Sequence, residues 1–352
     1  MGISGLYGGR CSCRPVKVAG NGAGRRFGNV YGVNNTMRTE LLKEVIACLP
    51  KERTVFHYTR DDYALMLLAR YVANGKPMRE VRQSKFGGLL SKATIRKILA
   101  DEGSGMLSRT VFDYAYVEGR KPFLLTTGSW NEEKSSYNQT SRNEGNLVLR
   151  MNFNAGHDRE FQRVVHEEEV DYFQYCSHPV LREGERRYFR YTLAWVRMDV
   201  DFDENEVLIE EVQNDWLRHA QWYLKHLEWC VKNGKGNLEY LTVNGKVKAA
   251  MYYAKEILAP YYRIWDEAAL TAAIQFAIDE LGVSNIYYHT FETGNVLKGI
   301  DFRYPPRSLY TNLPRRFCFE QTHDVPVMLQ KSRAAKRKLK NVRNPRWHRL
   351  VM

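Results

Sequence analysis

A helix, a glycine and an apolar strand follow one another late in the chain, and this order constrains the fold most. Residues 266–281 predict an amphipathic helix that Asp266 begins and Gly282 ends. Residues 283–289 (VSNIYYH) follow at once and have the composition of a buried strand. A helix that leads directly into such a strand is the second half of a β-α-β crossover, which joins parallel strands. The sequence therefore predicts an α/β or α+β fold, with a mixed β-sheet flanked by helices.

Composition divides the chain into four parts. We expect a glycine-rich arm at 1–36, an α+β part at 37–145, an α/β core at 146–330 and a basic tail at 331–352. The arm and the tail lack apolar periodicity, so both are expected to be disordered. A polar loop at 128–145 marks the start of the core, and two strands, 110–117 and 122–127, are predicted just before it.

The net charge of +13 is concentrated at the two ends. The first 36 residues carry +5 and residues 331–352 carry +9, which leaves −1 for the rest of the chain. Basic arms bind phosphate backbones without sequence preference, so nucleic acid is the expected partner, although such a tail can also serve only solubility. The expected nucleic-acid contacts are Arg307, Arg315, Arg316, Lys336, Arg337 and Lys338. The first three stand near Tyr310, so the arginines could instead pack on aromatic rings.

Two further features bear on the compartment. No run of 18 apolar residues occurs, so no membrane span is expected. The six cysteines include no CxxC pair, which argues against a disulfide framework or a zinc knuckle. We therefore expect a cytoplasmic protein with no membrane partner.

Carboxylates crowd one segment, residues 199–215 (DVDFDENEVLIEEVQND), in which eight of seventeen residues are acidic. Grouped carboxylates repel one another unless water, a cation or arginine offsets the charge. An apolar run in the middle predicts a hairpin with its turn centred on Glu204. In that register Asp199 faces Ile209, and Arg197 faces Glu211.

Asp199 and Glu211 would then be diagonal neighbours on one face of the hairpin. Two carboxylates can hold Mg²⁺ or Mn²⁺, and the metal could activate water. Two alternatives remain open. Arg197 could pair with Glu211 while the other acids solvate the turn, or a two-residue turn could place Asp199 opposite Glu210.

The order of elements over residues 188–290 resembles the core of the PD-(D/E)xK nucleases. That core has a strand with Asp, a hairpin, a strand with Glu-x-Lys, then a helix and another strand. Glu211 matches the glutamate, and Gln213 stands where the family has lysine. The resemblance implies a metal-dependent, nuclease-like enzyme acting on nucleic acid, with Glu211 and Gln213 in the catalytic positions.

A second resemblance rests on residues 209–216 (IEEVQNDW). They are similar to an E-[I/V]-Q-[S/N]-D-W stretch that recurs in large polyvalent proteins of phages and mobile elements. Residues 265–270 (WDEAAL) match the W-x-E-x-A-L helix that follows it there, and the match covers about residues 190–295. It implies a phage or mobile-element setting and assigns no catalytic residue.

His289 and Glu292 follow the predicted parallel strand. Ligands of open α/β sheets gather at the carboxyl ends of strands, so both residues could complete a catalytic site with Glu211. Alternatively, residues near 293 only begin a short helix and His289 is merely hydrogen-bonded.

Other functional classes stay open. The chain could be a non-catalytic nucleic-acid-binding accessory protein, or a group transferase. A strand, a helix and a strand before Asn295 and Leu297 resemble an acetyltransferase, whereas residues 56–59 (FHYT) and 204–206 (ENE) resemble ADP-ribosyltransferase motifs.

Overall fold

A mixed sheet of eight strands organises the computed structural model, which describes residues 33–48, 54–100, 102–113, 115–130, 139–175, 177–182 and 191–352. The order across the sheet is β1-β4-β5-β6-β7-β8-β10-β9, and only β7 and β8 are parallel. The strands are β1 Thr54–Tyr58, β2 Lys76–Pro77, β3 Met106–Leu107, β4 Lys121–Trp130, β5 Asn146–Asn152, β6 Thr192–Asp201, β7 Glu206–Gln213, β8 Asn285–His289, β9 Glu320–Thr322 and β10 Trp347–Val351. Strands β2 and β3 pair separately. The predicted mixed α/β fold is confirmed.

Helices surround the sheet. They are α1 Val33–Cys48, α2 Asp62–Tyr71, α3 Met78–Gln83, α4 Ala93–Ala100, α5 Arg109–Asp113, α6 Ala155–Gln162, α7 Val170–Phe173, α8 Trp216–Asn233, α9 Leu238–Leu241, α10 Val247–Tyr252, α11 Ala259–Tyr262, α12 Trp265–Asp279, α13 Phe291–Lys298, α14 Ser308–Arg316, α15 Val327–Lys331 and α16 Arg333–Leu339. A π-helical turn, Tyr253–Ile257, follows α10. None of the helices in the described ranges is both long and apolar enough to cross a bilayer.

The predicted crossover runs from β7 through α8 to α12 and back into β8. Nine of the fifteen residues of helix α12 are buried, five of them alanines, and the helix packs against β6 and β7. It begins at Trp265 and ends at Asp279, close to the predicted limits, and Gly282 takes the left-handed backbone conformation (φ 69°) before the strand. The main apolar core lies on this side of the sheet.

A β-bulge at Glu210 determines which side chains of β7 point toward the main core. Arg197 lies opposite Glu211 as predicted, but Met198 lies opposite Ile209, so Glu210 is the extra residue. Ile209 and Val212 can therefore both reach the main core, while the two glutamates between them bond to groups on the other face.

Because of the bulge, the register near the turn also differs from the predicted one. Asp199 lies opposite Leu208, so the predicted partner Ile209 is wrong by one residue, and pairing with Glu210 does not occur either. Four residues, 202–205, connect the strands, which is longer than either turn considered from the sequence.

The expectation of a disordered tail at 331–352 is wrong. Residues 333–339 form α16, and β10 pairs with both β8 and β9 inside the sheet. Trp347 and Leu350 explain why, because both are fully buried, Leu350 in the main core and Trp347 in a smaller apolar cluster. The predicted arm at 1–36 lies almost wholly outside the described residues.

The N-terminal half contributes strands to the same sheet. Strands β4 and β5 pair along their length, so the predicted boundary at 145 falls between two neighbours of one sheet. The strand predicted at 110–117 is wrong, because residues 109–113 form α5, with Phe112 buried. The strand predicted at 122–127 is confirmed as part of β4.

Candidate active site

Polar side chains line the sheet face opposite the main core. They come from β6, β7 and β8, and residues 139–144 supply many of their partners. Buried charges are tolerated only when each has a partner, so the contacts of each group decide whether it is structural or available to a ligand.

Asp199 is held by Arg142. The carboxylate accepts two hydrogen bonds from the guanidinium, from Nε at 2.6 Å and from Nη2 at 2.5 Å, and Asp201 accepts a third from Nη1 at 3.2 Å. Burial alone would lower the pKa of Arg142, but the charge of Asp199 outweighs it and raises that pKa. Both charges of this bidentate pair are therefore already neutralised within the protein.

Glu211 is paired with a different arginine. Arg197, which is buried, donates from Nε to the Glu211 carboxylate at 2.7 Å, and its guanidinium lies 5.3 Å from the centre of the Trp130 ring. Burial would raise the pKa of Glu211, but the Arg197 charge lowers it overall, so this carboxylate is ionised. The alternative in which Arg197 pairs with Glu211 is confirmed. Asp199 and Glu211 thus each pair with an arginine in this structure.

Glu210 forms a buried cluster with Ser141 and His289. Its carboxylate accepts from the backbone N–H and the hydroxyl of Ser141, both at 2.9 Å, and lies 3.1 Å from Nε2 of His289. The Lys298 ammonium donates to the backbone carbonyl of Glu210 at 2.9 Å. Burial would raise the pKa of Glu210, but hydrogen bonding and the surrounding positive charge lower it to about 2.

This cluster resembles a Ser-His-Glu triad in composition only. In such a triad the acid holds one ring nitrogen of the histidine and the serine contacts the other. Here both contact Nε2 of His289, while Nδ1 has no hydrogen-bond partner within the described residues. The side chains of His289 and Glu210 are completely buried, and burial lowers the pKa of His289. We therefore assign His289 to the structural network.

His178 and Asp215 form a dyad that the sequence did not predict. Nδ1 of His178 lies 2.5 Å from Oδ2 of Asp215, and within the described residues no hydrogen bond reaches Nε2. The Asp215 side chain is 1% exposed, whereas that of His178 is 31% exposed. A buried acid thus orients a histidine whose second nitrogen is accessible, which is the arrangement of a general base.

Local structure frees Asp215 for this contact. Asn214 caps α8, because its Oδ1 accepts from the backbone N–H of Leu217 at 2.8 Å. The Asp215 carboxylate, which makes no such cap, accepts from Gln213 Nε2 at 3.2 Å and from Arg218 Nη2 at 2.5 Å. Gln213, which the sequence predicts to be catalytic, therefore donates a hydrogen bond to Asp215 and helps to position this acid of the dyad.

The turn that carries His178 is also anchored. Arg150 of β5 donates from Nε to the carbonyl of Pro179 at 3.1 Å, and the His178 ring lies 5.4 Å from the ring of Trp195. Because His178 and Asp215 are 37 residues apart, no local pattern joins them. The sequence signal nearest to the dyad is the Gln-Asn-Asp run that starts at the last residue of β7.

Glu292 lies away from these groups, at the surface. It is the second residue of α13 and pairs with Arg307, whose guanidinium also stacks at 4.6 Å on the ring of Phe291. Arg316 pairs with Asp266 and Glu267, so it holds α14 to α12. Arg307 and Arg315, both predicted to contact nucleic acid, are exposed, whereas Arg316 is half-buried.

Helix α16 presents the rest of the predicted basic residues. Lys336 and Arg337 are exposed, together with neighbouring basic side chains of the same segment, Arg333, Lys340, Arg343 and Arg346. Lys338 points inward instead, and its ammonium donates to the backbone carbonyls of Leu297 at 2.6 Å and Thr140 at 3.3 Å.

A divalent metal remains a prediction. In the parts of the chain that the structure describes, no group of three or more His, Cys, Asp or Glu side chains is placed to hold an ion. The paired arginines show that Asp199 and Glu211 do not fit the proposed site as they stand. Glu211 would have to leave Arg197 in order to bind Mg²⁺ or Mn²⁺.

Comparison of the chain with protein-family models, with curated proteins and with solved structures finds no match. The resemblances to nucleases and to mobile-element proteins therefore stay predictions.

Proposed function

We propose that this protein is a nuclease-like enzyme in which His178, oriented by Asp215, acts as the general base. The observation that carries the proposal is the dyad itself. Asp215 accepts a hydrogen bond from Nδ1–H of His178, which fixes the tautomer and leaves the Nε2 lone pair accessible to a substrate hydroxyl or to water. Asp215 would then stabilise the imidazolium that forms when His178 takes up the proton.

Charge supports nucleic acid as the substrate. The chain carries +13, and Arg218 stands beside the dyad with its side chain 63% exposed. An exposed guanidinium beside a general base can hold a phosphate of the scissile strand. A cytoplasmic setting and a phage or mobile-element origin belong to the same proposal and rest on the sequence alone.

A cleavage assay tests the proposal. Labelled RNA and DNA oligonucleotides are incubated with the full chain in EDTA, in Mg²⁺ and in Mn²⁺. We expect cleavage that His178→Ala lowers by about 10²–10⁴-fold, the usual contribution of a general base. Added imidazole should restore part of the lost activity. His57→Gln, at an exposed position of β1, is the matched control and should cleave as the wild type does.

Two results would overturn the assignment. One is full activity in His178→Ala. The other is cleavage that requires Mg²⁺ or Mn²⁺ and is lost in Glu211→Gln but not in His178→Ala. That result would support the metal site predicted at Asp199 and Glu211.

A second candidate function is nucleic-acid binding without catalysis. The loop after α13 exposes Phe302 and Tyr304, and the C-terminal end of α13 contacts basic helix α16 through Lys338. Exposed rings beside basic side chains can stack bases and hold phosphates. Tight binding with no cleavage under any of these conditions would favour this function.

A further inference from the structure

Helix α8 carries a row of aromatic rings that leads away from the dyad. His219 and Trp222 have ring centres 5.2 Å apart, Trp222 and His226 are 5.0 Å apart, and His226 and Trp229 are 6.4 Å apart. At 3.6 residues per turn, Asp215 projects from the same side of the helix as these rings. The row, defined here as the α8 stripe (His219, Trp222, His226 and Trp229), therefore continues directly from the candidate active site.

Two rings of the α8 stripe, those of its tryptophans, are half-exposed. Trp222 is 50% exposed and Trp229 is 52% exposed, whereas Trp195, Trp216 and Trp347 are fully buried. Two half-exposed tryptophans one above the other on a surface helix form an apolar patch that water solvates poorly. Such a patch is typical of a binding surface.

Positive charge borders the stripe on one side. Arg218, Lys225 and Lys232 recur at seven-residue spacing, so they form a line along the helix parallel to the rings, and all three are exposed. Glu228 lies farther round the helix. On the other side of the stripe, His219 meets Tyr172 of α7, whose neighbour Asp171 is acidic.

We propose that the α8 stripe binds single-stranded nucleic acid, with bases stacked on the rings and phosphates along the three cations. This inference rests on the proposed function and names its substrate class. Unpaired bases expose the faces that stack on aromatic rings, whereas the bases of a duplex are already stacked on one another. The rise of 1.5 Å per residue separates the two tryptophans by about 10 Å, which leaves room for more than one base.

Binding and cleavage are measured separately, which distinguishes this inference from the proposed function. The full chain carrying His178→Ala is titrated with a fluorescent single-stranded oligonucleotide, with the same oligonucleotide as a duplex, and with the strand at several salt concentrations. Trp222→Ala and Trp229→Ala should each raise Kd for the single strand at least about fivefold. Trp222→Phe, which keeps a ring, should retain most of the affinity.

Two further variants sharpen the assignment. Lys225→Ala combined with Lys232→Ala should flatten the salt dependence of binding, because fewer counterions are released. Tyr116→Ala, which removes an exposed ring outside both candidate surfaces, is the matched control and should bind within twofold of the parent.

The inference fails if both tryptophan variants bind the single strand normally, or if they lose duplex and single-strand binding equally. It also fails if the wild type is a dimer that these variants convert to a monomer, since the stripe would then hold a second copy of the chain. Normal cleavage by His178→Ala together with the expected binding losses would overturn the dyad assignment and keep the stripe.

Discussion

Each buried charge on the polar sheet face has a definite partner. Arg142 pairs with Asp199, Arg197 pairs with Glu211, and Asp215 orients His178. The first two pairs neutralise charge inside the protein, whereas the third leaves a reactive nitrogen accessible. At the scale of single residues, exposure therefore separates the structural pairs from the candidate catalytic one.

Replacement of Glu211 distinguishes an ion pair from a metal ligand. We expect Glu211→Gln to lower the free energy of unfolding by roughly 1–3 kcal/mol, because buried Arg197 loses its charged partner. Urea unfolding with and without Mg²⁺ measures this, and Asp203→Asn, in the exposed turn, is the control. A rise in the melting temperature of the wild type with Mg²⁺ that Glu211→Gln abolishes would instead support the metal site.

The sequence predicts pairs of residues only where a strand register joins them. Arg197 and Glu211 face each other in a hairpin, so their pairing could be considered from the alternation of side chains alone. Arg142 lies 57 residues from Asp199, and the contact depends on a loop that carries no periodicity. Distances of this kind are set by the tertiary fold, which explains why the dyad was missed.

At the scale of elements, the crossover was predicted and the last strand was not. The crossover has a long apolar helix, a terminating glycine and a strand in sequence. Strand β10 is only five residues long and follows a strongly basic segment, so composition indicated a disordered tail. Its two buried apolar residues are enough to place it inside the sheet, because the neighbouring strands supply the hydrogen bonds on both edges.

Truncation tests the role of this strand. Removal of residues 331–352 should abolish cooperative thermal unfolding, because β8 loses a neighbour and the apolar cluster around Trp347 is opened. The point variant Trp347→Ala should cost about 3–5 kcal/mol. Val351→Ala, at an exposed position of the same strand, should change stability by less than about 0.5 kcal/mol. A truncated chain that melts like the full one would contradict the observed pairing.

At the scale of the whole molecule, buried histidines couple stability to pH. Burial lowers the pKa of His157, His289 and His348 below the ordinary value of 6.5. The unfolded chain therefore binds more protons than the folded one once the pH falls below about 6.5. The stability that these groups contribute is present above that pH and is lost as the pH falls.

Unfolding in urea at pH 7.5, 6.5 and 5.5 checks this coupling. We expect the free energy of unfolding to fall by up to about 1.4 kcal/mol per pH unit for each of the three histidines. His348→Gln, which can still donate to the carbonyl of Tyr310, should remove about a third of the slope. His57→Gln, in an exposed position, should not change it. A slope that His348→Gln leaves unchanged would show that His348 is not buried in neutral form.

The position of β10 has a consequence for synthesis of the chain on the ribosome. The nascent chain emerges with β8 first, then β9, and β10 only afterwards, yet β10 is the strand that joins the other two. Until residues 347–351 have emerged, β8 presents an open edge, and the short strand β9 has no partner to hold it. The sheet is therefore completed late, and an open edge of this kind is a site at which an incomplete chain can pair with another.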